Sequence, residues 1–199
     1  MSDSTMPIEE AARAAEGALA RIALLHIAFS KVLIEEHGRE KGLDLIARAI
    51  IDYGKRIAER LQKGLPDLTN LGLNEESEVT EDGKLRVKGC TLAKVFKEQD
   101  ALDVGHMYCY VDPAKTMAWN PGQKMIHLPS EACGDGECTV EVVPTTQKDR
   151  ETFSSRTEAW RMVDPRLYEY DKGEPSLKKG ATEDNRASRS SHPKGRRDG

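Results

Sequence analysis

The sequence predicts an α+β fold: an N-terminal antiparallel helical hairpin packed on a small antiparallel β-sheet, with an extended or disordered C-terminal tail. Apolar residues recur at steps of three and four over the first third of the chain, and the period then changes to alternation. A chain of 199 residues is long enough for one domain with its own core. We expect that domain to span residues 1–144, followed by a docking arm at 145–171 and a low-complexity tail at 172–199.

Two long helices are predicted before residue 65. The first runs from Pro7, which suits a first helical turn, to about residue 37, where Gly38 stops it. Its predicted buried stripe contains the apolar residues Ala15, Leu19, Ile22, Leu25, Phe29 and Val32. The second helix covers about residues 40–63, and Gly54 inside it indicates close packing against another element.

Strands are predicted in the middle of the chain. Apolar and charged residues alternate over residues 85–87, after the turn signal Asp82-Gly83, and this predicts a strand. Residues 90–97 predict a short helix that begins at Cys90. We expect a second strand at 104–112, with Cys109 on one face and His106 on the other. Residues 124–128 and 138–143 predict a hairpin. The polar segment 67–80 is expected to be a solvated connection.

Composition narrows the functional classes. The formal net charge is 30 − 34 = −4, which argues against binding nucleic acid by phosphate neutralisation. We find neither a secretory signal nor an uninterrupted apolar stretch of membrane-spanning length, so we expect a cytoplasmic protein without membrane contact. The final 28 residues, 172–199, carry eight basic and four acidic residues and no apolar period, which is typical of a solubilising tail.

The four cysteines are the first candidates for a functional site. In a reducing compartment they are expected to be buried, catalytic or metal-binding rather than paired in disulfides. Cys133 and Cys138 have a spacing that zinc sites use, whereas Cys90 and Cys109 stand alone, so no cofactor is assured and zinc or another divalent metal is the open alternative. A thiol at a helix start, as expected for Cys90, has a lowered pKa. Asp112 would be its acidic partner, and His127 is expected to be packed.

These residues resemble the L-2-amino-thiazoline-4-carboxylic acid hydrolase family over residues 15–143. The resemblance rests on Tyr53-Gly54, Cys90-x-x-Ala93, Tyr108-Cys109-x-x-Asp112, Asn120-Pro121 and Gly134-Asp135-x-x-Cys138. The last of these motifs also resembles the end of vinyl-4-reductase-type ligand-binding domains. It implies a related α+β fold that binds a small molecule.

The resemblance implies hydrolytic opening of a cyclic amidine or isothiourea amino-acid derivative by addition of water at the amidine carbon. It assigns catalysis to Cys90, Cys109 and Asp112, with Asp112 pairing with the amidinium. It assigns substrate binding to Asn120 and Cys138, with Asp135 a further candidate and no metal ligand. From the residues themselves, we add Tyr53, beside Gly54 on the second helix, and His106, on the predicted strand, as substrate-binding candidates.

Three functional hypotheses follow. The first is a hydrolase that acts on a small-molecule substrate as a homo-oligomer, with the C-terminal arm contacting a neighbour. The second is a non-catalytic small-molecule or metal-binding module that uses the cysteine cluster. The third is an accessory subunit whose tail recruits an enzyme.

Overall fold

The computed structural model describes residues 6–64 and 72–173. Helix α1 (Ile8–His37) and helix α2 (Arg39–Gln62) form the predicted hairpin, and Gly38 joins them with a positive φ of 76°. Glycine adopts this backbone conformation without the steric cost that a side chain would add. The predicted tail from residue 174 onward lies outside the described residues.

A four-stranded antiparallel sheet forms the second layer. Its strands are β1 (Glu76–Val79), β2 (Leu85–Lys88), β3 (Gln123–His127) and β4 (Cys138–Pro144), in the order β1-β2-β4-β3. The predicted hairpin of β3 and β4 is present, with His127 opposite Val140. The helical hairpin and this sheet confirm the α+β class.

Short helices connect and flank the sheet. They are α3 (Thr91–Glu98), α4 (Leu102–Gly105), a 3₁₀ helix (His106–Tyr110), α5 (Val111–Trp119), a 3₁₀ turn (Glu131–Cys133), α6 (Gln147–Ser155), a 3₁₀ helix (Glu158–Val163) and α7 (Pro165–Asp171). α5 packs between α2 and β3. A Cβ atom on Gly54 would lie 2.5 Å from the Cβ atom of Ala114, which confirms that Gly54 marks a close helix contact.

The strand predicted at residues 104–112 is wrong. This segment is helical throughout, from α4 through the 3₁₀ helix into α5. All five residues from Val104 to Tyr108 are buried, so the segment has no half-exposed alternation for a strand pattern to follow. Gly105 also lies directly against the ring of Phe96, a close approach that a residue without a side chain permits.

Two further predictions differ from the structure. Residues 76–79, expected to be a solvated connection, form the exposed edge strand β1, which pairs with β2 through its backbone. On α1 the buried face consists of Leu19, Ala23, Ile27 and Ser30 instead of the full predicted stripe. Leu25 and Phe29 are exposed because this part of α1 is apolar on more than one face.

The segment at residues 145–171 docks on the domain itself. Trp160 is completely buried and packs against Tyr110 and Phe153, with ring centroids 5.7 and 5.9 Å apart. Asp171 at the end of α7 accepts a hydrogen bond of 2.7 Å from Nε2 of His106. The last described helices therefore complete the core behind β3.

Candidate functional site

A cavity of about 280 Å³ lies between the sheet and the helical layer. The inner face of the sheet contributes alternate residues of β2, β3 and β4, as the two-residue period of a strand requires. The helical layer contributes residues of α2, α3, the 3₁₀ helix His106–Tyr110 and α5. The cavity is lined by Ile57, Leu73, Asn74, Leu85, Val87, Cys90, Leu92, Tyr108, Cys109, Val111, Asp112, Lys115, Met125, His127, Cys138 and Val140.

The turn from the 3₁₀ helix into α5 gathers the polar side chains of the cavity. A regular strand would have placed Tyr108 and Cys109 on opposite faces, but the helical backbone lets Tyr108, Cys109 and Asp112 line the same space. The hydroxyl of Tyr108 lies 3.3 Å from that of Tyr53. Tyr53 therefore supports the wall through Tyr108 without itself lining the cavity.

Asp112, His127 and Asp164 form a row that runs from the cavity into the core. Nδ1 of His127 hydrogen-bonds Oδ2 of Asp164 at 2.7 Å, and Nε2 lies 3.5 Å from Oδ2 of Asp112. Asp164 is completely buried and also accepts backbone N–H groups from His127 and Leu167. The imidazole is therefore held between a buried carboxylate and one that faces the cavity.

The two carboxylates decide the charge of His127. Burial alone would lower its pKa, but hydrogen bonds and charge from Asp112 and Asp164 outweigh burial and raise the pKa to about 10. For Asp112, burial would raise the pKa, but His127 and Lys115, whose Nζ atom lies 3.3 Å away, hold it below the usual value. At neutral pH His127 is therefore an imidazolium and Asp112 a carboxylate, with Nζ of Lys115 beside them.

Three of the four cysteines line this cavity, and their thiols are neutral. Burial raises the pKa of Cys90, raises that of Cys109 well above its ordinary value, and raises that of Cys138 to about 12. Cys90 occupies the N-cap position of α3, and the N–H groups of Ala93 and Leu92 lower its pKa, as expected at a helix start. The prediction of a lowered pKa is nevertheless wrong because the cost of burial is larger.

Glu131 fixes the position of Cys90. Its carboxylate accepts the backbone N–H groups of Gly89 and Cys90 at 2.8 and 2.7 Å, and its own N–H points to Sγ of Cys138 at 3.1 Å. These contacts join the loop before β4 to the start of α3. Cys133 is buried but does not line the cavity.

Several predicted site residues lie elsewhere. Asn120 is exposed at the end of α5, where its side chain accepts the N–H of Gly122 at 3.0 Å. His106 is completely buried, and its ring bonds the carbonyl of Leu102 and the carboxylate of Asp171. Asp135 forms a bidentate ion pair with Arg166, in which both N···O distances are 2.9 Å. These three side chains hold the fold together outside the cavity.

Sequence reasoning missed His127, Lys115 and Asp164. The alternation of β3 places His127 on the same face as Met125, and this signal was available once the strand was assigned. Asp164 precedes Pro165 and caps α7, a recognisable helix start. Its contact with His127 spans 37 residues of sequence, which local patterns do not report.

Among residues 6–64 and 72–173, no group of three or more His, Cys, Asp and Glu side chains is arranged to hold a metal ion.

Comparisons with known proteins add little. No family model and no curated protein matches the sequence. A crystal structure of the phenol-responsive sensory domain of the transcription activator PoxR with phenol matches with a TM-score of 0.43 and 16% sequence identity. The match covers 69% of this chain and 80% of that one. At this level of similarity we draw no inference from it about fold or function.

Proposed function

We propose that this protein hydrolyses a small cyclic amidine or isothiourea amino-acid derivative, of the 2-aminothiazoline-4-carboxylate type. The observation that carries the proposal is the Asp112–His127–Asp164 row, which presents a carboxylate and a proton donor side by side in a largely apolar cavity. The substrate class comes from the motif resemblance around Cys90, Cys109 and Cys138.

Asp112 is the recognition group for the substrate. A carboxylate with a lowered pKa stays ionised when it leaves bulk water and pairs with an amidinium through charge-assisted hydrogen bonds. Lys115, on the same side of the cavity, supplies the opposite charge that a substrate carboxylate needs. The apolar side chains of Val87, Val140 and Met125 face the ring.

The reaction consumes one water molecule for each ring that is opened. Attack of water forms a C–O bond at the amidine carbon, and one of the water protons passes to solvent while Asp112 stays ionised and paired with the substrate nitrogen atoms. The C–S bond then breaks with its electron pair going to sulfur, which takes a proton from His127. The second water proton leaves as the carbonyl forms and restores His127. The product is an N-carbamoyl thiol.

His127 is suited to protonate a departing sulfur. It lines the cavity and keeps its proton at neutral pH because Asp112 and Asp164 raise its pKa, so a proton is at hand when the C–S bond breaks. Asp164 is a positioning residue because it holds the ring and its charge without facing the cavity. The neutral thiols of Cys90, Cys109 and Cys138 form a polarisable wall near the ring sulfur, and water is the nucleophile.

Turnover of 2-aminothiazoline-4-carboxylate can be followed as release of a free thiol. Asp112→Asn loses the charge that binds the amidinium, and His127→Gln loses the general acid, so each should lower kcat/KM by about a hundredfold or more. Cys109→Ser should keep most of the activity, and Asp135→Asn is the matched control outside the cavity. Undiminished turnover in Asp112→Asn, or no turnover of any cyclic amidine by the wild type, would refute the assignment.

The alternative is a non-catalytic module that binds a small molecule or a metal ion. The neutral thiols and the largely apolar lining favour it, since both suit a ligand that is held without reaction. Calorimetry would then show binding of a cyclic amidine without thiol release. Zinc retained stoichiometrically by the wild type and lost from a Cys109→Ser/Cys138→Ser variant would favour the metal-binding form.

A further inference from the structure

Helix α1 has an apolar outer face that no described residue covers. Leu24, Leu25, Phe29 and Val32 are 46, 57, 64 and 53% exposed, and Ala28 between them is exposed as well. Steps of three and four place these five residues on one side of the helix, and we call them the α1 patch. Single exposed apolar residues are ordinary, but four large ones within three turns mark an interaction surface.

The opposite side of α1 is buried against the rest of the domain. Its inner face packs on α2, α3 and α4, and Nε2 of His26 lies 3.0 Å from the carbonyl oxygen of Val104. By length and composition α1 could also cross a membrane, with 22% of its most apolar window buried. In this fold, however, the inner face carries Leu19 and Ile27 in the core, so only the outer face is available to a partner.

Two opposite charges flank the α1 patch symmetrically. Arg21 lies seven to eight residues before the midpoint between Ala28 and Phe29, and Glu36 lies the same number after it. At 1.5 Å per residue, each charge is about 11 Å from that midpoint. Both side chains are exposed, and neither forms an ion pair with another residue in the described ranges 6–64 and 72–173.

We propose that the α1 patch is the interface of a homodimer in which two copies of α1 pack antiparallel about a two-fold axis near Ala28 and Phe29. This axis places Leu25 of each copy against Val32 of the other. It also places Arg21 of each copy beside Glu36 of the other at both ends. A parallel pairing would put Arg21 against Arg21 and Glu36 against Glu36, which is unfavourable.

Other occupants fit less well. Residues 174–199 contain Leu177 as their single large apolar side chain, so they offer little to cover the patch. An anionic membrane surface would be repelled by Glu35 and Glu36 at one end of the patch. One helix from each copy buries less than a standard interface, so we expect a dissociation constant in the micromolar range.

Sedimentation velocity of the full chain over micromolar concentrations tests the proposal. The wild type should show a reversible monomer–dimer equilibrium, and Phe29→Asp should be monomeric. Arg21→Glu and Glu36→Arg should each raise the dissociation constant about tenfold, since each creates two like-charge contacts. The double variant Arg21→Glu/Glu36→Arg should restore dimerisation. Arg56→Glu, an exposed charge reversal on α2, is the control and should leave the equilibrium unchanged.

Circular dichroism of every variant checks that the fold is kept, as expected for exposed positions. A monomeric wild type, or a dimer that survives Phe29→Asp, would overturn the proposal. So would loss of the dimer on deletion of residues 174–199, because the tail would then form the contact. Co-sedimentation of a monomeric wild type with phosphatidylglycerol vesicles, abolished by Phe29→Asp, would assign the patch to membranes instead. Recovery in the double variant is the result that supports the antiparallel arrangement.

Discussion

One oxygen of Asp164 accepts two hydrogen bonds from His127, from its backbone N–H at 2.8 Å and from its ring Nδ1 at 2.7 Å. Asp164 is also the N-cap of α7, which follows β3 by more than 30 residues of sequence. The paired contacts fix both the strand position and the ring orientation of His127, so that Nε2 points to Asp112. The C-terminal helices are thus part of the site as well as of the core.

Replacing Asp164 by asparagine should lower the pKa of His127 from about 10 toward its ordinary value of 6.5 by about one unit or more. The variant removes one of the two negative charges beside the ring and keeps a similar shape. Titration of the His127 imidazole by NMR measures the change. Asp135→Asn removes a carboxylate that pairs with Arg166 instead, and it should leave the pKa of His127 unaltered. An unchanged pKa in Asp164→Asn would contradict the electrostatic account.

The raised pKa of His127 also makes stability depend on pH. The folded value of about 10 lies above the ordinary value of 6.5, so the folded state holds its proton more tightly. This stabilisation is complete below pH about 6.5 and is lost as the pH rises through about 10. Urea unfolding of the wild type and His127→Gln should therefore show a stability difference of a few kcal/mol that shrinks between these values. A difference that stays constant from pH 6 to pH 10 would mean that His127 is neutral in the fold.

Local sequence patterns predicted the parts of the fold that have one buried face. The α1–α2 hairpin, α3 and the β3–β4 hairpin follow from residue periods and from glycines at their ends. Residues 104–112 were assigned wrongly because Val104 to Tyr108 are buried on all sides, and a segment without an exposed face carries no readable period.

The candidate site was only partly predictable for a related reason. Cys90, Cys109, Asp112 and Cys138 were named from motifs, and the structure brings all four to one cavity. His127 was not named as a site residue because its charge depends on Asp164, and their contact is made by tertiary packing. The reactivity of Cys90 was misjudged because a sequence shows where a helix begins, whereas burial depends on the whole fold.

The cavity cysteines should react slowly with iodoacetamide at pH 7.5. Only a thiolate is alkylated, and burial raises the pKa of Cys90, Cys109 and Cys138. Mass spectrometry of the alkylated peptides should show rates about tenfold or more below those of the same cysteines in urea. Cys133, buried away from the cavity, is an internal reference that should also react slowly. Rapid modification of Cys90 alone would indicate a thiolate and revive it as the nucleophile.

Gly54→Ala should destabilise the fold because the new methyl group has no room where α2 meets α5. Its Cβ atom would lie 2.5 Å from Cβ of Ala114 and 2.8 Å from the backbone nitrogen of Lys115, and neither atom can move without displacing α5. We expect a loss of about 1–3 kcal/mol in the free energy of unfolding, measured in urea. Gly17→Ala is the matched control, since nothing lies within 4 Å of its Cβ position on the exposed side of α1. There the higher helix propensity of alanine should stabilise the protein by up to about 1 kcal/mol.

Because α5 carries Asp112 and Lys115, Gly54→Ala should also weaken binding of a cyclic amidine, whereas Gly17→Ala should not. Equal stability of the two variants would show that α2 and α5 are packed less closely than described.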